Sequence, residues 1–280
     1  MVIRTRNDAI LRDLEPFLVA TPFNLPFLDR SPFGMSIPDE NVIDPLRVES
    51  ERFLLLLQRL DQATFGPEGM PMPRWVFFDC SELPGAIFGY ARRAEDLSEH
   101  ARAVYDVPAD YRGLVPYSMY IAIPMHPRGC WFGHNLASIA PTLPEEDLKG
   151  LGSITKAIAL KVFRSRTLYG ATQWDSSALF IHTRFGPIEL MTAWTPAHSE
   201  AETVTYFLPI DDLRIRAAAG DPTAVIERPA PDLTVGAEDR ELMLELQDAL
   251  ERGERLIIPG PPVPDPQRPG AFRVPVHRVR

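Results

Sequence analysis

Two glycines flank a leucine at Gly150-Leu151-Gly152, where a stripe of Leu151, Ile154, Ile158 and Val162 begins at helical spacing. Glycine has no Cβ, so a ligand can come close to its backbone. The first amides of a helix have no partner within it, and the helix dipole favours an anion there. This is the chemistry of a pyrophosphate cradle. Lys149 adds a cation beside it and Ser153 a hydroxyl. The same glycines also suit a plain tight turn into the helix, and a lone G-x-G does not separate the two. Further on stand Asp175, Ala178, His182 and Gly186.

A second chemistry is available on paper. Cys130-Trp131 with His134, His182 and His198 contains the parts of a thiolate nucleophile and its imidazole. No motif surrounds Cys130, and its place in a strand reads as a small buried core residue. A metal site built from His126, His134, His182 and His198 is not expected, because neither H-E-x-x-H nor paired-cysteine spacing occurs.

The elements that must position these residues alternate strand and helix. The sequence predicts a helix over 6–16, an extended proline-rich arm over 20–40, and a helix over 45–63 starting at Asp44-Pro45. Strands follow at 75–79 and 86–90, joined at Leu83-Pro84-Gly85, then a helix over 93–105. Strands at 118–123 and 130–139 flank a turn at 126–129. After the glycine-led helix come a strand at 167–173, a short helix at 176–184, and strands at 188–194 and 203–208. A helix at 239–251 ends at Gly253, and the chain closes on a proline-rich segment read as an arm or linker.

Composition limits the function classes. The 280 residues are 45% hydrophobic, enough to bury a large core. A net charge of −9 argues against nucleic acid as partner. Two cysteines and no apolar leader argue for a soluble, cytoplasmic protein, and no run has the length of a membrane span.

The 147–186 region resembles the GNAT superfamily of acyl-CoA-dependent N-acetyltransferases. That family has an [R/Q]-x-x-G-x-[G/A] motif at a helix start, and this chain reads DLKGLG over 147–152. Asp175, Ala178, His182 and Gly186 stand at the offsets of the family's Asn, Ala, Tyr and Gly. Asp147 replaces the Arg or Gln, Asp175 the Asn, and His182 the Tyr that protonates the departing thiolate. A rival register at 107–113 places Arg112 well but puts Val115 on the next glycine position.

The resemblance implies an α/β fold, a mixed, bent central sheet flanked by helices. A core over 45–210 would carry an N-terminal extension over 1–44 and a C-terminal helix and tail over 211–280. It implies acyl transfer from acetyl-CoA or another acyl-CoA to a small-molecule or peptide amine, with His182 as the acid that protonates the leaving thiolate and His134 as a possible base. Lys149, Gly150, Leu151, Gly152, Ser153 and Asp175 would contact the cofactor, with Ala137, Ser138 and Ile139 along the pantetheine arm. The alternatives are an inactive GNAT-like assembly module, using its arms toward a partner or a homodimer, and a Cys130-dependent hydrolase.

Overall fold

The computed structural model describes residues 7–196 and 201–279. The chain divides into two compact units, Met1–Ser165 and Arg166–Arg280.

The first unit runs α1 (Asn7–Leu11), β1 (Glu15–Val19), β2 (Val42–Ile43), α2 (Glu51–Phe65), α3 (Arg74–Val76), β3 (Ala86–Arg93), α4 (Glu99–Tyr105), β4 (Leu114–Met125), β5 (Cys130–Ser138) and α5 (Leu151–Val162). Its strands lie in the order β5-β4-β3-β1-β2. β1 and β2 are parallel and the other pairs antiparallel, which gives the mixed sheet flanked by helices that the sequence predicts. β4 is buried on both faces from Leu114 to Ala122. Ser118 and Tyr120 face α5, where Ser118 bonds Thr155 and Tyr120 lies under Lys156. Ile121 pairs with Asn135 on the opposite face, toward α2. The apolar run Phe53–Leu57 lies in α2. Phe53, Leu54, Leu56, Leu57 and Leu60 form the buried side of α2, an amphipathic helix. Gly89 on β3 is fixed by crowding, since a Cβ there would stand 2.0 Å from the Ser118 carbonyl oxygen.

The second unit runs β6 (Thr167–Gln173), α6 (Ala178–His182), β7 (Ile188–Thr192), β8 (Thr203–Pro209), α7 (Asp212–Ala218), β9 (Leu233–Val235), α8 (Arg240–Glu251), β10 (Arg255–Ile258), β11 (Val263–Pro264) and β12 (Phe272–Val279). Its strands are ordered β6-β8-β7-β10-β12-β11, with β9 also on β12. All these pairings are antiparallel.

Several expectations are corrected. The 6–16 helix stops at Leu11, and residues 15–19 are strand, because Phe17, Leu18 and Val19 supply a buried β-type run. Residues 20–40 are not an extended arm. They fold into short 3-10 turns that bury Leu28, Pro32 and Ile37, and the Asp29 amide donates to the Val162 carbonyl. α2 begins at Glu51, after a turn at Val48–Ser50. Residues 75–79 are helical, passing from α3 into a π turn at Phe77–Glu82, so there is no hairpin at 83–85. The 93–105 helix is a 3-10 turn followed by α4, with Ser98 capping it through the Ala101 amide. The C-terminal segment is β11 and β12 with a turn between them, not a free arm. Among the described residues no helix is long and apolar enough to cross a membrane.

Candidate active site

The glycine turn sits where the sequence places it. Gly150 precedes α5 with φ 103°, a left-handed conformation that favours glycine. Buried Leu148 and Leu151 anchor the turn, and the Leu151 amide donates to the Leu148 carbonyl. The first i to i−4 bond of α5 runs from the Ile154 amide to the Gly150 carbonyl. The Gly152 and Ser153 amides come before it, in the part of the helix that looks outward for acceptors. A Cβ on Gly150 would meet only Ile10 Cδ1, at 3.9 Å, and one on Gly152 would make ordinary contact with Ser138 Cβ at 3.6 Å. Packing therefore does not require glycine at 152. Ser153 is buried and Lys149 exposed.

Two of the three acids on the approach to this turn are hydrogen-bonded to neighbouring side chains. Glu146 accepts from Arg92 Nη1 at 2.7 Å, from Ser98 Oγ at 3.1 Å and from Tyr117 Oη at 3.3 Å. Glu145 pairs with His100 at 2.8 Å, which holds its carboxyl below the usual range through its own amide and the imidazole. Asp147, left-handed at φ 47°, is the third acid.

β5 carries the other first-unit candidates. Its register on β4 shifts between Ile121 and Ala122, which pair with Asn135 and Gly133. His134 is the extra residue of this bulge. Ala137 and Ile139 are buried, and the Ile139 amide donates to the Tyr117 carbonyl. By strand alternation the Ser138 backbone groups point the other way, and Ser138's carbonyl lies 3.5 Å from Thr64 Oγ1 on α2.

Beneath the bulge lies a residue that the sequence reading passed over. Asp61 of α2 is fully buried. It accepts from Asn135 Nδ2 at 2.6 Å and from the Met72 amide at 2.7 Å. Burial raises its pKa, and the two hydrogen bonds and nearby His134 oppose that shift. The available signal was an acid one residue after Leu60 on the apolar stripe of α2. Lys156 was also missed. It is buried in α5, with its pKa drawn down to about 7 by desolvation, its ammonium 5.5 Å from the Tyr120 ring.

In the second unit, Asp175 is exposed in the turn after β6. His182 ends α6 and is buried, its ring 5.3 Å from that of Tyr206. Gly170 makes room for that tyrosine, since a Cβ there would stand 2.5 Å from its hydroxyl oxygen. Gly186 has φ 108° beside Arg214. Cys130 is a free thiol at the start of β5 and is half-buried, not enclosed as the sequence suggests. His198 lies outside the described residues. No group of three or more His, Cys, Asp or Glu is placed to hold a metal ion among the described residues. The rival stretch at 107–113 leads into β4 and not into a helix.

The solved structures to which the chain is similar include acetyltransferases. One is the ribosomal-protein-S18-alanine N-acetyltransferase of Escherichia coli, at 14% identity and TM-score 0.38, covering 59% of this chain and 91% of that one. Another is the NatC complex bound to Gag peptide and CoA, at 14% identity and TM-score 0.40, covering 60% and 97%. A third is an IAA acetyltransferase from Bacillus cereus, at 14% identity and TM-score 0.33, covering 54% and 90%. No protein-family model and no curated protein matches the chain.

Proposed function

We propose that the chain is an acyltransferase, moving an acyl group from acyl-CoA to an amine. The observation that carries this reading is the turn at Gly150, Leu151 and Gly152. It places the Gly152 and Ser153 amides ahead of the first i to i−4 bond of a twelve-residue helix and keeps position 152 free of a side chain that packing would accept. That is a use of glycine suited to a closely approaching phosphate. Lys149 is exposed beside it as a counter-charge, and the Arg92–Glu146 pair reduces the local negative field.

In this reading the pyrophosphate accepts from the Gly152 and Ser153 amides, and the pantetheine arm follows Ala137, Ser138 and Ile139. A backbone amide of the bulged β5 polarises the thioester carbonyl as the tetrahedral oxyanion forms. The amine loses its proton to a base, for which His134 is the candidate. His182 is the candidate to protonate the departing thiolate, and Asp175 to contact the cofactor. The acceptor is a small-molecule or peptide amine.

The test is the thermal midpoint with excess acetyl-CoA, with free CoA and ATP as comparisons. Binding to the folded state alone at about 100 times Kd adds roughly 2.7 kcal/mol. A rise with acetyl-CoA and CoA but not ATP supports the reading. No shift at millimolar ligand overturns it and favours a non-catalytic scaffold.

A further inference from the structure

Asp61 joins three segments of the first unit. It sits on α2, its Oδ1 takes the Asn135 amide hydrogen from β5, and its Oδ2 takes the Met72 backbone hydrogen from the connection between α2 and α3. Asn135 is the residue next to His134, at the point where β5 slips by one residue against β4. Thr64, one helical turn beyond Asp61, reaches the Ser138 carbonyl further along the same strand. The C-terminal half of α2 therefore touches β5 at both the bulge and the strand end. A buried carboxylate is costly unless hydrogen-bonded. Its two partners are both donors, so the ionised form satisfies both. A protonated Asp61 keeps both only if the Asn135 amide turns over.

We propose that Asp61 is a positioning residue for acyl transfer: through Asn135 it holds the bulge that carries His134, and through the Met72 amide it latches the connection between α2 and α3 to that bulge. The proposal rests on the acyltransferase reading above, because the bulge matters only if the thioester lies along β5. His134 of β5 acts on it electrostatically, and Asn135 and the Met72 amide bond it directly. The carboxylate is the latched form, so turnover falls on acidification as Asp61 takes up a proton, at a pH above the usual aspartate range.

The experiment compares wild type, Asp61→Asn and Asp61→Ala in the full chain. Three readouts are taken: acetyl-CoA binding by thermal shift, kcat and KM for an amine acceptor across pH 4–8, and hydrogen exchange of the Met72 amide. Asparagine at 61 can keep both bonds if Asn135 turns over, and it has no proton to gain. The expected result is that Asp61→Asn folds, binds acetyl-CoA as wild type does, keeps kcat within about threefold, and shows a less steep acid limb, because of the two groups that must be deprotonated for turnover only the general base is left. Asp61→Ala is expected to lower kcat at least tenfold with little change in acetyl-CoA binding, and to speed Met72 exchange. An acid limb as steep in Asp61→Asn as in wild type, or wild-type kcat and Met72 exchange in Asp61→Ala, overturns the proposal. Should wild type itself neither bind acetyl-CoA nor turn over, the parent reading falls and the positioning role with it.

Discussion

Arg92 and Glu146, 54 residues apart in sequence, meet with Nη1 and Oε2 at 2.7 Å, and their side chains are only 17% and 9% exposed. The guanidinium also lies 4.8 Å over the Tyr117 ring, whose hydroxyl approaches the same carboxylate. The contact fixes the loop that leads to Gly150 onto β3 and β4.

Breaking this pair by Arg92→Ala leaves a poorly solvated carboxylate. Removing one partner of a buried pair costs ~3 kcal/mol. The urea midpoint is expected to fall accordingly, and acetyl-CoA binding to weaken because the glycine turn loses its support. Glu146→Gln, which keeps a hydrogen-bond acceptor, is expected to cost less. Equal midpoints for wild type and Arg92→Ala would contradict a supporting role.

The two glycines of the turn are expected to respond differently to alanine. Gly150→Ala must hold a left-handed conformation, at a cost of about 1–2 kcal/mol. Gly152→Ala places its methyl in ordinary contact and improves helix propensity by roughly 0.5–1 kcal/mol, so its stability should match or exceed wild type. Its acetyl-CoA affinity, measured by calorimetric titration, should nonetheless drop at least tenfold. Unchanged affinity in a stable Gly152→Ala would remove the phosphate from this turn.

Gly89→Ala is a test of the sheet rather than of the site. The new methyl would collide with the Ser118 carbonyl and with Phe17 Cζ at 2.6 Å. Overpacking of this kind costs about 1–3 kcal/mol, or more where backbone must move. A clear loss of thermal midpoint is expected, with the β1–β3–β4 amides exchanging faster.

Lys156 predicts a pH dependence of stability. Its folded pKa of about 7 lies below the unfolded value of about 10.4. The unfolded chain therefore holds this proton more tightly, and stability from this residue is lost as pH falls from about 10 to about 7. Lys156→Met removes that dependence. Its thermal midpoint should exceed wild type at pH 7, and the gap should narrow toward pH 10. A gap that stays constant over this range would show that desolvation of the ammonium is not the controlling factor.

The legible parts of the fold were those with a local cause. Thr167–Gln173 and the helix after Gly150 follow from strand alternation and a glycine start, and both lie where the sequence predicts them. Residues 75–79 misled because Trp, Val and Phe favour strands, while here Phe77 is buried at the start of a π turn. The proline-rich segments misled for another reason. Proline disfavours the interior of an α-helix, but it does not forbid packing, and Pro32 is buried within its turn. Asp61 was hidden because its partners, Asn135 and Met72, are brought to it only by the tertiary fold.

β12 has a consequence for how the second unit is made. β9, β10 and β11 all pair with it, through residues 274–276, 277–279 and 272–273 respectively. As a chain emerges from the ribosome, β9 and β11 lack this shared partner until residues 272–279 have been synthesised. The sheet of the second unit is therefore complete only once residues 272–279 have been made, and until then β9 and β11 present unpaired strand edges.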